Sequence, residues 1–205
     1  RVPFLTTLYG VVRHPAALSQ GPFPLIVLLH GNHGNCRPSM ESTSDECSTN
    51  QDHECPWEGW VTTPNAEGMA YQAATLAAQG YIAVSISGNA MNCRDDFILE
   101  RAELIIEHLR HWSDWQSDDG GPLGAAFVGA IDMTRVGLIG HSRGGDAVSH
   151  VPTLLQDDPE PDINIESVFS IAPTDYHDAE VLDTHYATLL PACDGDVYSL
   201  IGREI

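Results

Sequence analysis

Lysine is absent from this chain. All 9 basic residues are therefore arginine, set against 29 acidic residues, and the formal charge is -20 over 205 residues. A surface so poor in cations repels phosphate backbones and anionic headgroups, so neither nucleic acid nor an anionic membrane is expected as a partner. Also missing is any run of about 18 apolar residues, and with it any expected membrane span. There is no internal repeat and no composition break that would mark a linker. With 42% hydrophobic residues, the whole of 1–205 reads as one domain with a substantial core.

What the chain does contain is a short apolar run, Val136-Gly137-Leu138-Ile139, that ends in Gly140-His141-Ser142-Arg143-Gly144 and passes into a helical pattern. Strand, sharp turn and helix is the context in which a serine hydroxyl is presented as a nucleophile. Gly140 and Gly144 leave room for the turn, and Ser142 is the candidate nucleophile. The helix starting near Arg143 would aim its first N–H groups at the point where an oxyanion develops.

Five cysteines are present, at 36, 47, 55, 93 and 193, and three of them crowd one polar loop. A long loop without hydrophobic periodicity needs tethering, and disulfides supply it in an oxidising compartment. Two bridges are expected among Cys36, Cys47, Cys55 and Cys93, and hence a secreted protein. Cys193 is expected to be a buried free thiol in an apolar strand. His30, His33 and His53 share the loop region with those cysteines, but their spacing matches no compact zinc pattern. Neither a metal nor any other cofactor is expected.

Taken in order, Leu5 to Val12 reads as a strand, and Leu25 to Leu29 as a central strand covered on both faces. It runs into His30-Gly31-Asn32-His33-Gly34, a small turn where the N–H of Asn32 is the candidate second oxyanion donor. A helix is expected from Pro64 to Ala78 and is stopped by Gly80; a buried strand follows from Tyr81 to Ser87. An amphipathic helix spans Asp95 to Trp112. Strands are then expected at Ile131 into the Ser142 turn, Ser167 to Ala172 and Tyr186 to Cys193. Strands alternating with helices imply an α/β fold, a mostly parallel central sheet with helices on both faces. Trp57, Trp60, Asn89 and Met91 are candidates to line a pocket.

Through Leu28-Leu29-His30-Gly31, Gly140-His141-Ser142-Arg143-Gly144-Gly145 and Cys193-Asp194-Gly195-Asp196-Val197, the chain resembles the α/β-hydrolases over roughly Leu25 to Val197. More narrowly it resembles secreted bacterial esterases of the lipase, cutinase and polyester-hydrolase branch, although the cysteine-bearing loop departs from that pattern. The resemblance implies a carboxylic-ester substrate and the triad order serine, acid, histidine. It also implies that Ser142 is the nucleophile, that Arg143 and Asn32 hold the oxyanion, and that Asp194 is the acid, with Asp196 as the alternative.

The departure lies at the end. In the family the base follows an eighth strand, yet no histidine occurs here after His185. A serine and an acid alone cannot move the hydroxyl proton. Three readings stay open: a C-terminal segment or companion chain that completes the fold and supplies the histidine, an internal base at His177 or His185, or a hydrolase-fold binding domain without catalysis. On the first, the fold lacks its eighth strand here, and a chain stopping at Ile205 is expected to aggregate or to be inactive.

Overall fold

The structure, a computed structural model, describes residues 6–48, 55–94, 96–160 and 162–205. Its elements run β1 (Gly10–Arg13), β2 (Phe23–Leu29), β3 (Cys36–Arg37), β4 (Val61–Thr62), α1 (Ala70–Ala78), β5 (Ile82–Ile86), α2 (Ile98–Ser117), β6 (Ile131–His141), α3 (Arg143–Asp157), β7 (Ile165–Ile171) and β8 (His185–Leu189). Six strands form one sheet in the order β1-β5-β2-β6-β7-β8. Within this sheet the β1–β5 pair is antiparallel and the other four pairs are parallel. β3 and β4 make a small separate ribbon in the cysteine-bearing loop.

Strand periodicity decides which side chains meet which helix. Along β2, Leu25, Val27 and Leu29 point to one face, where they join α2 and α3 in the main core with Ile105, Leu109, Trp112, Val148 and Val151. Leu28 and Ile26 point to the other face and pack with Met69, Ala73 and Leu76 of the α1 region. Both faces of the central strands are thus covered, which is why these strands are continuously apolar. The expected α/β architecture is present, with helices on both faces of the sheet.

Several element boundaries differ from expectation for identifiable reasons. Leu5 lies outside the described residues, and the first strand begins only at Gly10, where any β-carbon would fall 2.9 Å from Val84 Cγ2. The expected helix from Pro64 is a 3-10 turn over Asn65–Met69 before α1 begins, and the turn contains the poor helix former Gly68. There the Ser85 hydroxyl of β5 donates to the Ala66 carbonyl at 2.6 Å and pins the turn to the sheet. Asp95 also lies outside the described residues; α2 starts at Ile98 and continues past Trp112 to Ser117, because Trp112 and Trp115 still pack edge to face on its inner side. β8 is shorter than expected, ending at Leu189 two residues before Pro191, which has no N–H for a ladder. Cys193 therefore lies beyond the strand and is an exposed free thiol, not a buried one.

Two disulfides hold the loop, Cys36–Cys55 and Cys47–Cys93. The second joins the loop to the turn after β5. Bridges and composition are compatible with a secreted protein, and among the described residues no helix is long and apolar enough to cross a membrane.

Candidate active site

The site is built where β2 and β6 end side by side, with Leu29 opposite Gly140. Parallel register brings the turn after β2 against the turn after β6. Between β6 and α3, Ser142 adopts φ 56° and ψ -127°, a left-handed backbone that a residue with a β-carbon tolerates only when its surroundings enforce it. The enforcement comes from both sides. A β-carbon at Gly140 would collide with the Gly144 carbonyl, and one at Gly144 would sit 2.5 Å from the Leu29 carbonyl oxygen. Glycine at these positions lets α3 start directly against the sheet. The Ser142 N–H donates to the Ile171 carbonyl, and its own carbonyl accepts from the N–H groups of Gly145 and Asp146.

The facing turn is equally tight. A β-carbon on Gly31 would lie 2.8 Å from Ser142 Cβ and 3.1 Å from His141 Nδ1. Its order comes from His30, which is buried. Nε2 of that ring accepts from the Gly88 N–H at 2.9 Å, so Nδ1 carries the proton and donates to the Gly31 carbonyl at 2.8 Å. Desolvation, helped by the nearby Arg101 cation, pushes the His30 pKa down to about 3, and the ring is neutral at neutral pH. Asn32 comes next; its Oδ1 accepts from the Cys93 N–H at 2.6 Å, and Cys93 is the residue bridged to Cys47. The turn holding the candidate oxyanion donor is thus braced through the disulfide-bonded loop.

Two features of the site carry no motif in the sequence. Arg101 of α2 is fully buried beneath the turns and donates to the Met91 carbonyl at 3.0 Å and to Asn92 Oδ1 at 2.9 Å. A periodic apolar face had marked α2 as amphipathic, but nothing marked that arginine as facing inward. The second feature is the Arg143 side chain. Its Nη1 donates to Ser142 Oγ at 3.4 Å and to Asp196 Oδ2 at 2.8 Å, and its guanidinium lies over the Tyr176 ring.

The two aspartates after β8 have different surroundings. Asp194 Oδ1 accepts from the N–H groups of Asp196 and Val197, each at 2.9 Å, and those bonds hold its carboxyl below the usual carboxylate range. It lines a cavity of about 420 Å³ with His141, Ile171, Ala172, Leu189 and Pro191. Asp196 instead reaches the Ser142 turn through Arg143.

No described histidine is hydrogen-bonded to Ser142 Oγ. His177 packs edge to face on His150, which faces Asp146 Oδ1 at 3.2 Å on the second turn of α3. His185 opens β8, whereas the strand's other end, at Leu189, pairs with Ile171 beside His141. Four residues of strand, roughly 13 Å, separate His185 from the Ser142 end of the sheet. His33 and His141 stack on each other with centroids 6.1 Å apart, and desolvation lowers the pKa of both. His53 lies outside the described residues.

A larger cavity of about 630 Å³ opens on the other side of His141 and Ile171, between the cysteine-bearing loop and α1. The expected lining residues are elsewhere. Trp57 and Trp60 pack on each other, Met91 belongs to the main core, and Asn89 lines a separate small cavity of about 200 Å³ behind Thr63. Four of the five cysteines are consumed by disulfides and are not free to bind metal.

No known family and no curated protein matches the sequence. Among solved structures, a bacterial heroin esterase is similar at 12% identity and a TM-score of 0.45, over 82% of this chain and 44% of that one. The chain thus spans less than half the length of that structure. Likeness at this distance carries nothing about chemistry, which rests on the arrangement around Ser142.

Proposed function

We propose that the chain belongs to a serine hydrolase that cleaves carboxylic esters through an acyl-enzyme. The observation that supports this most is the strained backbone of Ser142, at φ 56° between a buried strand and the first turn of α3. Strain of this kind costs about 1–3 kcal/mol and is retained where geometry at one atom matters. Ser142 Oγ attacks the ester carbonyl carbon and its proton passes to a base. The N–H groups of Arg143 and Asn32 hold the oxyanion, and the intermediate collapses with the alcohol leaving protonated. Water repeats the sequence to release the acid.

The base in this reading is a histidine from a segment outside these 205 residues, oriented by Asp194. Asp194 suits that role because Oδ1 is fixed by two backbone N–H groups, while Asp196 is engaged with Arg143. The test is turnover of p-nitrophenyl butyrate by the 205-residue chain and by a version extended at its C-terminus. Only the extended protein should turn over, and Ser142→Ala should abolish that turnover. Equal activity in both would make the base internal and refute the proposed supply.

A second reading has its own observation. The Arg143 guanidinium sits on Ser142 Oγ, and Ser142 is only 6% exposed, as in a binding domain that no longer uses the hydroxyl. Lack of reaction with a serine-directed probe in the extended protein would favour it.

A further inference from the structure

Cations are scarce in this chain, yet two of its 9 arginines, Arg101 and Arg143, lie buried at the turns around Ser142. Arg101 braces the turn after β5 through Met91 and Asn92. Arg143 reaches the nucleophile itself. Its side chain is only 11% exposed, while that of its partner Asp196, 2.8 Å away, is 71% exposed. The guanidinium carbon lies over the Tyr176 ring, 5.7 Å from its centroid. The Tyr176 backbone is held in turn, because the fully buried Asp146 accepts from its N–H at 2.9 Å and from the Thr174 hydroxyl at 2.8 Å. The cation is thus packed against the protein, and the carboxylate that covers it is the solvent-facing member of the pair.

A guanidinium donating to Oγ at 3.4 Å draws electron density from an oxygen that has to attack, so the contact does not assist the free hydroxyl. The oxyanion already has two N–H donors in the hydrolase reading, those of Arg143 and Asn32. A carboxylate on the bound ester would use the charge that these states leave over, since the planar fork of guanidinium N–H donors matches its two oxygens. Asp196 occupies the guanidinium as such a group would. Both bonds share Nη1, so a carboxylate in the place of Asp196 lies within two hydrogen-bond lengths, roughly 6 Å, of Oγ. That is the reach of a short dicarboxylic acid joined to Oγ by its other end. The net charge of -20 repels an anion at long range, but screening within about 8 Å at physiological salt leaves the local pair to decide. Resting on the hydrolase reading above, we infer that the acyl arm of the ester carries a carboxylate, as in a half-ester of a short dicarboxylic acid, and that this carboxylate displaces Asp196 from the Arg143 guanidinium.

The test separates binding from turnover. Calorimetry on the Ser142→Ala chain, which leaves esters intact, compares monobutyl glutarate with its methyl diester; the two differ in the free carboxylate. A charge-assisted pair with a buried guanidinium should make the half-ester bind at least about 10-fold more tightly. Arg143→Met in the same background should erase that preference, and Arg143→Lys should keep part of it. Asp196→Asn removes the competitor, so it should tighten half-ester binding by about 5-fold, the upper range for an exposed ion pair, and leave the diester unchanged. A merely structural tie between Arg143 and Asp196 predicts the opposite sign, a loss for both esters. Asp196 is mostly exposed, so this variant keeps the test open if Arg143→Met fails to fold. Equal affinity for the two esters, or weaker half-ester binding in Asp196→Asn, overturns the inference. Labelling of Ser142 by a serine-directed probe in the extended protein, without a half-ester preference, would leave the hydrolase reading standing and remove this one; a half-ester preference without labelling would do the reverse.

Discussion

Among single residues, Gly31, Ser142 and the two aspartates after β8 define the candidate site. Gly31 is the clearest steric case, with any β-carbon 2.8 Å from Ser142 Cβ. Gly31→Ala should therefore lower kcat/KM of the active protein by about 100-fold, the usual cost of shifting a catalytic group by around an ångström. Circular dichroism should show the fold unchanged. The aspartates divide the roles in a way that kinetics can read. Asp194→Asn should reduce kcat by about 10⁴-fold, as loss of the orienting carboxylate does in a serine triad. Asp196→Asn removes a mostly exposed partner of Arg143 and should cost less than about 10-fold. The reverse ranking would assign the acid to Asp196. The glycines and the serine were readable because a turn of this kind restricts residue type. Arg101 was not, because inward or outward direction at that position is set by tertiary packing.

Among the elements, α2 shows where the sequence pattern stops informing. Its apolar face was plain, yet His108 on that helix is 4% exposed and its Nε2 has no hydrogen-bond partner. Burial lowers its pKa to about 4, with His111 as a smaller cause. The folded chain therefore resists a proton that the unfolded chain accepts below its ordinary pKa of 6.5. Stability from this group is complete above about pH 6.5 and is lost as the pH falls toward 4, by about 2 kcal/mol at pH 5. His108→Leu should raise the melting temperature more at pH 5 than at pH 8; an equal shift at both would contradict the titration. The cysteine-bearing loop had no periodicity to read, and only its need for tethering was visible. The Cys47–Cys93 bridge closes a separation of 46 residues, for which chain entropy predicts about 4 kcal/mol. Reduction should lower the melting temperature by several degrees and, through the Asn32 to Cys93 hydrogen bond, lower kcat with it.

For the whole molecule, charge dominates. With a net charge of -20 and nine arginines, several of them engaged in ion pairs or buried, long-range repulsion opposes the compact state. Raising sodium chloride from 10 mM to 0.3 M shortens the screening length from about 30 Å to about 6 Å, so the melting temperature should rise. A fall would mean that local ion pairs such as Arg110–Glu160 outweigh the net repulsion. The layered architecture was legible at this scale, since continuous apolar strands alternating with amphipathic helices admit few other arrangements. The two cavities beside His141 were not, because they arise between elements distant in sequence, one between the disulfide-bonded loop and α1 and the other against the end of β8.

Ser142, in the proposed function, is a nucleophile prepared by its backbone. The direct measurement is reaction of the protein extended at its C-terminus, as in the proposed function, with a fluorophosphonate, followed by peptide mass mapping. A single adduct on Ser142 is expected, absent in Ser142→Ala and blocked by prior incubation with an ester substrate. An adduct on another serine, or none at all in the folded extended protein, would contradict that role for Ser142.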